Sequence, residues 1–185
     1  MGIIADSLDK ATANTQTRPI PKSAQAQMRF LVKYAKGSTR AVAQRLGVTQ
    51  RTVERYLKGT LKRPRRELAD RLAAAVRQDW QPRVKQRAQR RAATSDGLVI
   101  ETRARFGFTA APGSTDDGRM RRVTQHLPPA YAARLFEAQS SGATEQQLQA
   151  IAAEGLQEVY FKDGGRRADG LLVEFTDIDY VEIDF

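Results

Sequence analysis

The 185-residue chain contains no cysteine, only one histidine and only one tryptophan. Without cysteine there can be no disulfide bond, no thiolate zinc site and no thiol nucleophile, and this composition is typical of cytoplasmic proteins. The single histidine, His126, cannot build a histidine metal cluster, and we interpret it as a surface or strand residue. The sequence therefore predicts no resident metal site.

Long apolar segments are also missing, because no run approaches the roughly 20 residues that a membrane-spanning helix needs. The N-terminal MGIIADSLDK has neither the basic start nor the apolar stretch of a secretory signal. It also departs from the myristoylation pattern, since Asp6 stands where Ser or Thr is required. We therefore expect no membrane partner and a cytoplasmic location.

The excess of positive charge, 31 Lys and Arg against 21 Asp and Glu, is concentrated in one half of the chain. Residues 18–93 hold 21 basic and four acidic side chains, whereas residues 94–185 hold nine basic and 15 acidic ones. A strongly basic segment favours a polyanionic partner, of which nucleic acid is the usual one. The acidic half is expected to have a different role, such as contact with protein partners.

The apolar pattern predicts an α+β protein, in which an N-terminal all-α domain precedes a small α+β domain with a β-hairpin. One helix is expected to begin at the N-cap Ser23 and end near Gly37, and three more are predicted over 38–46, 49–58 and 65–79. Pro19 and Pro21 break any helix before them. The predicted domains are an arm and linker over 1–22, a helix-turn-helix domain over 23–80, a basic linker or helix over 81–94 and an α+β domain over 95–185.

In the second half, β-branched and aromatic residues predict a strand over 98–110, with a hairpin partner over 119–127. Helices are predicted from Pro128–Pro129 to about Gln139 and over 144–154. The acidic end, LLVEFTDIDYVEIDF, predicts one or two strands that are bent or bulged near Asp177–Asp179.

One stretch, STRAVAQRLGVTQRTVERYLKG (38–59), matches the packing template of a DNA-binding helix-turn-helix. The template needs two helix caps, a small residue where the helices approach, a left-handed glycine and apolar core positions. These are Ser38, Thr49, Ala43, Gly47, Val48, Val53 and Leu57. An ordinary helical hairpin in a globular core is the alternative interpretation.

The exposed positions of this segment carry side chains suited to base edges and phosphates. The candidate DNA-binding residues are Arg40, Thr49, Gln50, Arg51, Thr52, Arg55, Lys58, Lys62, Arg63, Arg65 and Arg66. The clusters KRPRR (62–66) and KQRAQRR (85–91) are interpreted as phosphate contacts. Solvated faces, a simple linker or a nuclear-import signal are the alternatives for these two clusters.

Two hydroxyls and two carboxylates lie side by side in GSTDDG (113–118), between the two hairpin strands. These are turn residues, so a plain hairpin tip is one interpretation. In the other, the hydroxyl of Thr115 attacks an α-phosphate in a site that supplies the metal ions. Asp116 and Asp117 could help to hold a metal, but a polymerase or nuclease site would need a third carboxylate, such as Glu101 or one from the acidic tail.

The chain resembles the telomere terminal proteins of the linear chromosomes and plasmids of Streptomyces, the Tpg family. The resemblance spans essentially the whole length. It rests on the size, the segment 38–59, TRPIPKS, KRPRRELADRLA, GSTDDGRMRRV and the acidic FTDIDYVEIDF end. It implies a protein that is covalently attached to 5′ DNA ends and primes the synthesis that fills in the single-stranded 3′ overhang. The attachment threonine of the family matches Thr115, with Ser114 as the alternate residue.

The resemblance also implies partners. Telomeric DNA, as duplex or as a folded 3′ overhang, would be bound, and a telomere-associated protein would recruit the chain to it. A partner DNA polymerase would add the first nucleotide with its dNTP and Mg²⁺, so the chain would be a primer and not an enzyme by itself. Its expected place is the nucleoid, at replicon ends.

Two other functions are compatible with the residues. The first is a transcription regulator, in which the helix-turn-helix reads an operator and residues 95–185 dimerise or sense a ligand. The second is a phosphotransfer enzyme of the nuclease or relaxase type, which would use Thr115 and the Asp pair. The second is disfavoured because relaxase-type chemistry usually needs a tyrosine and a histidine-rich metal site.

Overall fold

A computed structural model of the chain describes residues 2–109, 117–166 and 171–185. Eight α-helices and a three-stranded antiparallel sheet are present among them, with most helices in the N-terminal half and the strands in the C-terminal half. The predicted mixed α+β class is therefore confirmed. The chain divides into two compact units, Thr17–Pro82 and a second unit made of Met1–Gln16 with Arg83–Phe185.

The unit Thr17–Pro82 is all-helical. Its helices are α2 (Ala24–Tyr34), α3 (Thr39–Leu46), α4 (Gln50–Leu57) and α5 (Arg66–Asp79), which lie close to the predicted spans. Apolar residues at helical spacing from all four helices meet in one core. The buried core residues are Ala24, Met28, Leu31, Val42, Ala43, Leu46, Val53, Tyr56, Leu68, Leu72, Ala75 and Val76.

The second unit combines a sheet with helices. Along the chain its elements are α1 (Ile3–Asn14), α6 (Pro82–Arg91), a π-helical turn (Ala92–Asp96), β1 (Leu98–Thr109), β2 (Asp117–Leu127), α7 (Pro129–Ser140), α8 (Glu145–Leu156), a second π-helical turn (Gln157–Phe161) and β3 (Leu172–Asp184). The strand order is β2-β1-β3. The predicted antiparallel pairing of β1 with β2 is confirmed, and β3 pairs antiparallel with the other side of β1.

The central strand β1 has one buried face and one solvated face. Every second residue from Leu98 to Phe106 is buried, and this set consists of Leu98, Ile100, Thr102, Ala104 and Phe106. The period of two follows from the alternation of side chains across a strand. Buried residues of α1, α7 and α8 complete the same core.

The predicted irregularity of the last strand is confirmed as two β-bulges. The pairing of β3 with β1 skips one residue at Asp179 and another at Thr176. Because each bulge adds a residue without a partner, the inward positions are spaced by two, three, three and two residues. Val173, Phe175, Ile178, Val181 and Ile183 thereby stay on the core side.

The arm predicted over residues 1–22 is wrong for its first part, because helix α1 belongs to the compact unit that contains the sheet. Ile4, Leu8 and Ala11, at spacings of four and three, are fully buried against the sheet unit. The two prolines break the chain only after this helix has ended. The predicted linker or helix over 81–94 contains α6 followed by the first π-helical turn.

Two buried polar side chains complete the outer edge of β3. Ile183 donates its backbone N–H to the Ser7 hydroxyl at 2.8 Å, and Val173 donates to Gln157 Oε1 at 2.8 Å. An edge strand has a row of unpaired backbone N–H and C=O groups, and each such group that is buried needs a hydrogen-bond partner. α1 and the second π-helical turn therefore cover this edge with matching hydrogen bonds.

Across the described ranges, no helix combines the length and the apolar character that a membrane span requires.

Candidate nucleic-acid interface

Helix α3 is closed at both ends by local hydrogen bonds. The Ser38 hydroxyl accepts from the N–H of Ala41 at 3.1 Å, which satisfies one free donor of the first turn. Gly47 has φ +63°, and the N–H of Val48 donates to the Ala43 carbonyl at 3.0 Å. This left-handed glycine with its backward hydrogen bond is a Schellman-type end. The chain is thereby turned sharply into the next helix.

Helix α4 begins at the predicted cap. The Thr49 hydroxyl accepts from the N–H of Thr52 at 3.2 Å. Val53 is buried as predicted, but Leu57 is only half-buried, and the second fully packed position is Tyr56. Tyr56 is buried in place of Leu57 because the positions three and four residues after Val53 both lie close to the buried face of the helix. The larger side chain of Tyr56 reaches the core.

The outer face of α4 presents a stripe of positive charge. Arg51, Arg55 and Lys58 follow the i, i+4, i+7 spacing that aligns side chains along one face of a helix, and all three are exposed. They line an open groove of about 600 Å³ together with Gln50, Glu54 and Thr60. Among the described residues, none of the three cations is paired with a carboxylate. The stripe is therefore available to an external anion.

The uncharged candidates at the start of α4 already have partners within the protein. The Thr49 hydroxyl is 2.9 Å from that of Thr52, in addition to its capping bond. Gln50 donates from Nε2 to the Thr39 hydroxyl at 3.0 Å and to Glu54 Oε1 at 3.1 Å. These bonds hold the side chains in place, and base contact by Gln50 requires that it exchange them.

The other basic candidates lie around the same unit. Arg40 is exposed in the first turn of α3, and exposed cations occupy the segment that leads from α4 into α5. These are Lys62, Arg63 and Arg65, with Arg66 as the first residue of α5. With 16 basic and four acidic residues over 17–82, the unit is strongly cationic.

One arginine of this unit has a structural role that the sequence did not reveal. Arg45 on α3 pairs with Asp79, the buried last residue of α5, and also donates to Gln78 Oε1 at 2.9 Å. A buried carboxylate needs such a partner. In the sequence, this pairing is indicated only by the position of Asp79 at the end of the apolar stripe of α5. Arg45 therefore ties α3 to α5 and is not a candidate for DNA contact.

Thr115 and Ser114, the candidate nucleotide-attachment residues, lie outside the described residues, as does Asp116. The described chain reaches Thr109 at the end of β1 and resumes at Asp117 at the start of β2. Phe106 pairs with Asp117 across the two strands. His126 is exposed on β2, as predicted, with Nε2 2.5 Å from the Asp96 carbonyl oxygen.

Glu101, the proposed third carboxylate, is engaged on the solvated face of the sheet. Arg122 donates to Glu101 Oε1 from Nε at 3.0 Å and from Nη2 at 2.6 Å, and Tyr180 donates its hydroxyl at 2.8 Å. The hydrogen bond from Tyr180, followed by that from Arg122, lowers the pKa of Glu101 below its usual value. A single oxygen, Oε1, accepts all three hydrogen bonds and so joins the three strands.

This network predicts a measurable titration. Replacement of Tyr180 by Phe should raise the pKa of Glu101 toward the ordinary value of about 4.3, because the largest contribution to the lowering is removed. Since the folded-state pKa is below the unfolded one, Glu101 stabilises the fold above about pH 4.3, and this contribution is lost as pH falls through the lowered value. The carboxyl ¹³C shift of Glu101 followed by NMR against pH reports the change. Tyr131→Phe serves as the control, and an unchanged Glu101 titration in Tyr180→Phe would rule out this cause.

Comparison with protein-family models, with curated proteins and with solved structures finds no match for this chain.

Proposed function

We propose that this chain is a DNA-binding terminal protein that acts as the primer for DNA synthesis at the ends of linear replicons. The observation that carries the DNA-binding part is the unpaired stripe of Arg51, Arg55 and Lys58 on α4. The priming part rests on the resemblance of the sequence to telomere terminal proteins. The two parts correspond to the two differently charged halves of the chain.

We propose that α3, the Gly47 turn and α4 form a helix-turn-helix, with α4 in the major groove. The proposal is supported by the Ser38 and Thr49 caps, by the left-handed Gly47 and by the buried Ala43 where α3 packs in the core. In such motifs the N-terminal residues of the second helix reach base edges. Arg51 and Arg55 are the side chains best suited to a guanine edge, and Lys58 suits a phosphate.

The remaining basic candidates would contact the backbone of the DNA. Arg40 and the cluster Lys62, Arg63, Arg65 and Arg66 are exposed and carry no base-reading geometry of their own. Each phosphate neutralised by such a side chain releases condensed counterions. Binding is therefore expected to weaken steeply with salt whatever the DNA sequence.

In the priming step, the Thr115 Oγ would attack the α-phosphorus of a dNTP. A phosphodiester forms between Oγ and the 5′ nucleotide, the bond between the α- and β-phosphates breaks, pyrophosphate leaves, and the hydroxyl proton passes to a base of the polymerase site. The polymerase supplies Mg²⁺ and the dNTP, and a telomere-associated protein brings the chain to the overhang. Ser114 is the alternate acceptor. The protein would then reside in the nucleoid, at replicon ends.

The test is a priming reaction. The full chain is incubated with a polymerase extract from a host with linear replicons, a telomeric single-stranded template and labelled dNTPs, and is then denatured. Label that stays with the protein and is released by a phosphodiesterase supports the primer function. Binding of telomeric DNA without any retained label would overturn it and leave a helix-turn-helix transcription regulator as the better account.

A further inference from the structure

Helix α6 (Pro82–Arg91) carries a second basic stripe, in the unit that also contains the sheet. No residue of this helix is fully buried. Val84, Ala88 and Gln89 form its half-buried side, and Gln89 donates to the Thr12 hydroxyl of α1 at 3.3 Å. The exposed side carries Arg83, Arg87 and Arg90. These follow the i, i+4, i+7 spacing and span roughly 10 Å along the helix axis.

Arg83, Arg87 and Arg90 differ from several other arginines of the same unit. On α6 itself Arg91 is paired with Asp96, and beyond this helix the pairs are Arg103–Asp179, Arg105–Asp177, Arg122–Glu101 and Arg134–Glu154. Within the described part of the chain, Arg83, Arg87 and Arg90 have no carboxylate partner. Asp96, which follows α6 in the chain, is paired with Arg91 and not with these three arginines.

Helix stability does not account for this stripe. A cation in the last turn, such as Arg90, is stabilised by the helix dipole, but Arg83 lies in the first turn, where a cation is unfavourable. The spacing also places three like charges beside one another, which costs a few tenths of a kcal/mol per pair in an isolated helix. The stability of α6 therefore gives no reason for the stripe, whereas an external anion bound along it would be attracted by all three charges.

We propose that Arg83, Arg87 and Arg90 form a second DNA-contact site, which binds the phosphate backbone and reads no bases. The inference rests on the proposed DNA-binding function and extends it to the unit Met1–Gln16 with Arg83–Phe185, whose sequence contains the candidate attachment residue Thr115. The segment 94–185 has 15 acidic and nine basic residues, so DNA would otherwise repel it. Contact through α6 keeps this unit close to the DNA end even though its overall charge is unfavourable.

The first test measures the salt dependence of DNA binding by the full chain. A triple variant, Arg83→Gln, Arg87→Gln and Arg90→Gln, should reduce the slope of log affinity against log salt by about two to three, since each phosphate contact contributes about 0.9. The control is Arg103→Gln, Arg122→Gln and Arg134→Gln, which removes the same charge from arginines already paired with acids. An equal loss of slope in both variants would overturn the proposal, because total charge alone would then explain it.

The second test is direct. A photo-cross-linking benzoylphenylalanine at Gln86, which is exposed on α6, should be captured by labelled DNA, whereas the same group at the exposed Gln146 of α8 should not. No cross-link at Gln86 would contradict the site. Combining the probe with Arg51→Ala and Arg55→Ala separates the two claims. If the variant Arg51→Ala with Arg55→Ala binds DNA as tightly as wild type and the cross-link at Gln86 persists, α4 has no part in DNA binding and the α6 site is supported.

Discussion

Replacement of Thr115 by alanine is expected to abolish the covalent transfer of labelled nucleotide to the protein. The proposed acceptor oxygen is removed, so the attack on the α-phosphorus of the dNTP loses its nucleophile. The effect should be a complete loss and not a change in apparent affinity for the dNTP. The measurement is retained label after denaturation, as in the priming reaction.

The matched control is Ser114→Ala, which removes the neighbouring hydroxyl and should leave labelling intact. DNA binding of both variants should equal that of wild type, because the DNA-binding candidates lie at residues 40–66. Loss of label in Ser114→Ala with full label in Thr115→Ala would move the attachment to Ser114. Full label in a variant that carries both Ser114→Ala and Thr115→Ala would exclude both residues as the attachment point.

Replacement of both Arg51 and Arg55 by alanine is expected to weaken duplex binding by roughly 30-fold or more. Each arginine that contacts a base edge contributes about 1–3 kcal/mol, and the two lie one helical turn apart on the same exposed face of α4. Neither is paired with a carboxylate among the described residues, so their loss leaves no buried charge behind. Fluorescence anisotropy with telomeric duplex at fixed salt measures the change.

The matched control for this variant is Arg29→Ala with Lys33→Ala. These residues are exposed on α2 at the same spacing of four, in the same unit, and their removal changes the net charge equally. We expect only a small, sequence-independent loss from the control. If the two double variants weaken binding equally, or if neither does, α4 is not the base-reading helix.

The helices around α4 could be predicted because their signals are local in sequence. Ser23, Ser38 and Thr49 each stand just before an apolar-periodic segment, and each proves to accept a backbone N–H in the first turn. Gly47 ends α3 in the left-handed conformation that the turn demands. Such features need only a few neighbouring residues to be identified.

The role of α1 could not be read in the same way. Ile4, Leu8 and Ala11 have helical spacing, but the surface that buries them comes from strands and helices more than 80 residues away. The same holds for Ser7, whose hydroxyl serves an amide of β3. A single sequence shows that a segment has an apolar face and does not show which element covers it.

In the candidate site too, some features could be predicted from the local sequence and others depend on contacts between distant segments. Exposure of Arg51, Arg55 and Lys58 follows from the period of α4 once the buried face is known. The hydrogen bonds of Gln50 to Thr39 and Glu54, and the ion pair of Arg45 with Asp79, depend on how side chains from different helices meet. The partners of Glu101 come from two other strands, so they could not be predicted from the sequence either.

The most direct measurement of the central claim is the identity of the residue that carries the nucleotide. Trypsin cleaves after Arg105 and Arg119 and releases FGFTAAPGSTDDGR, which contains both candidate hydroxyls and one other, Thr109. Mass spectrometry of the labelled protein should show this peptide heavier by one deoxynucleotidyl group, which is a deoxynucleoside monophosphate less one water, with fragment ions that place the addition on Thr115. A nucleotide found on any other peptide, or on Thr109, would contradict the account.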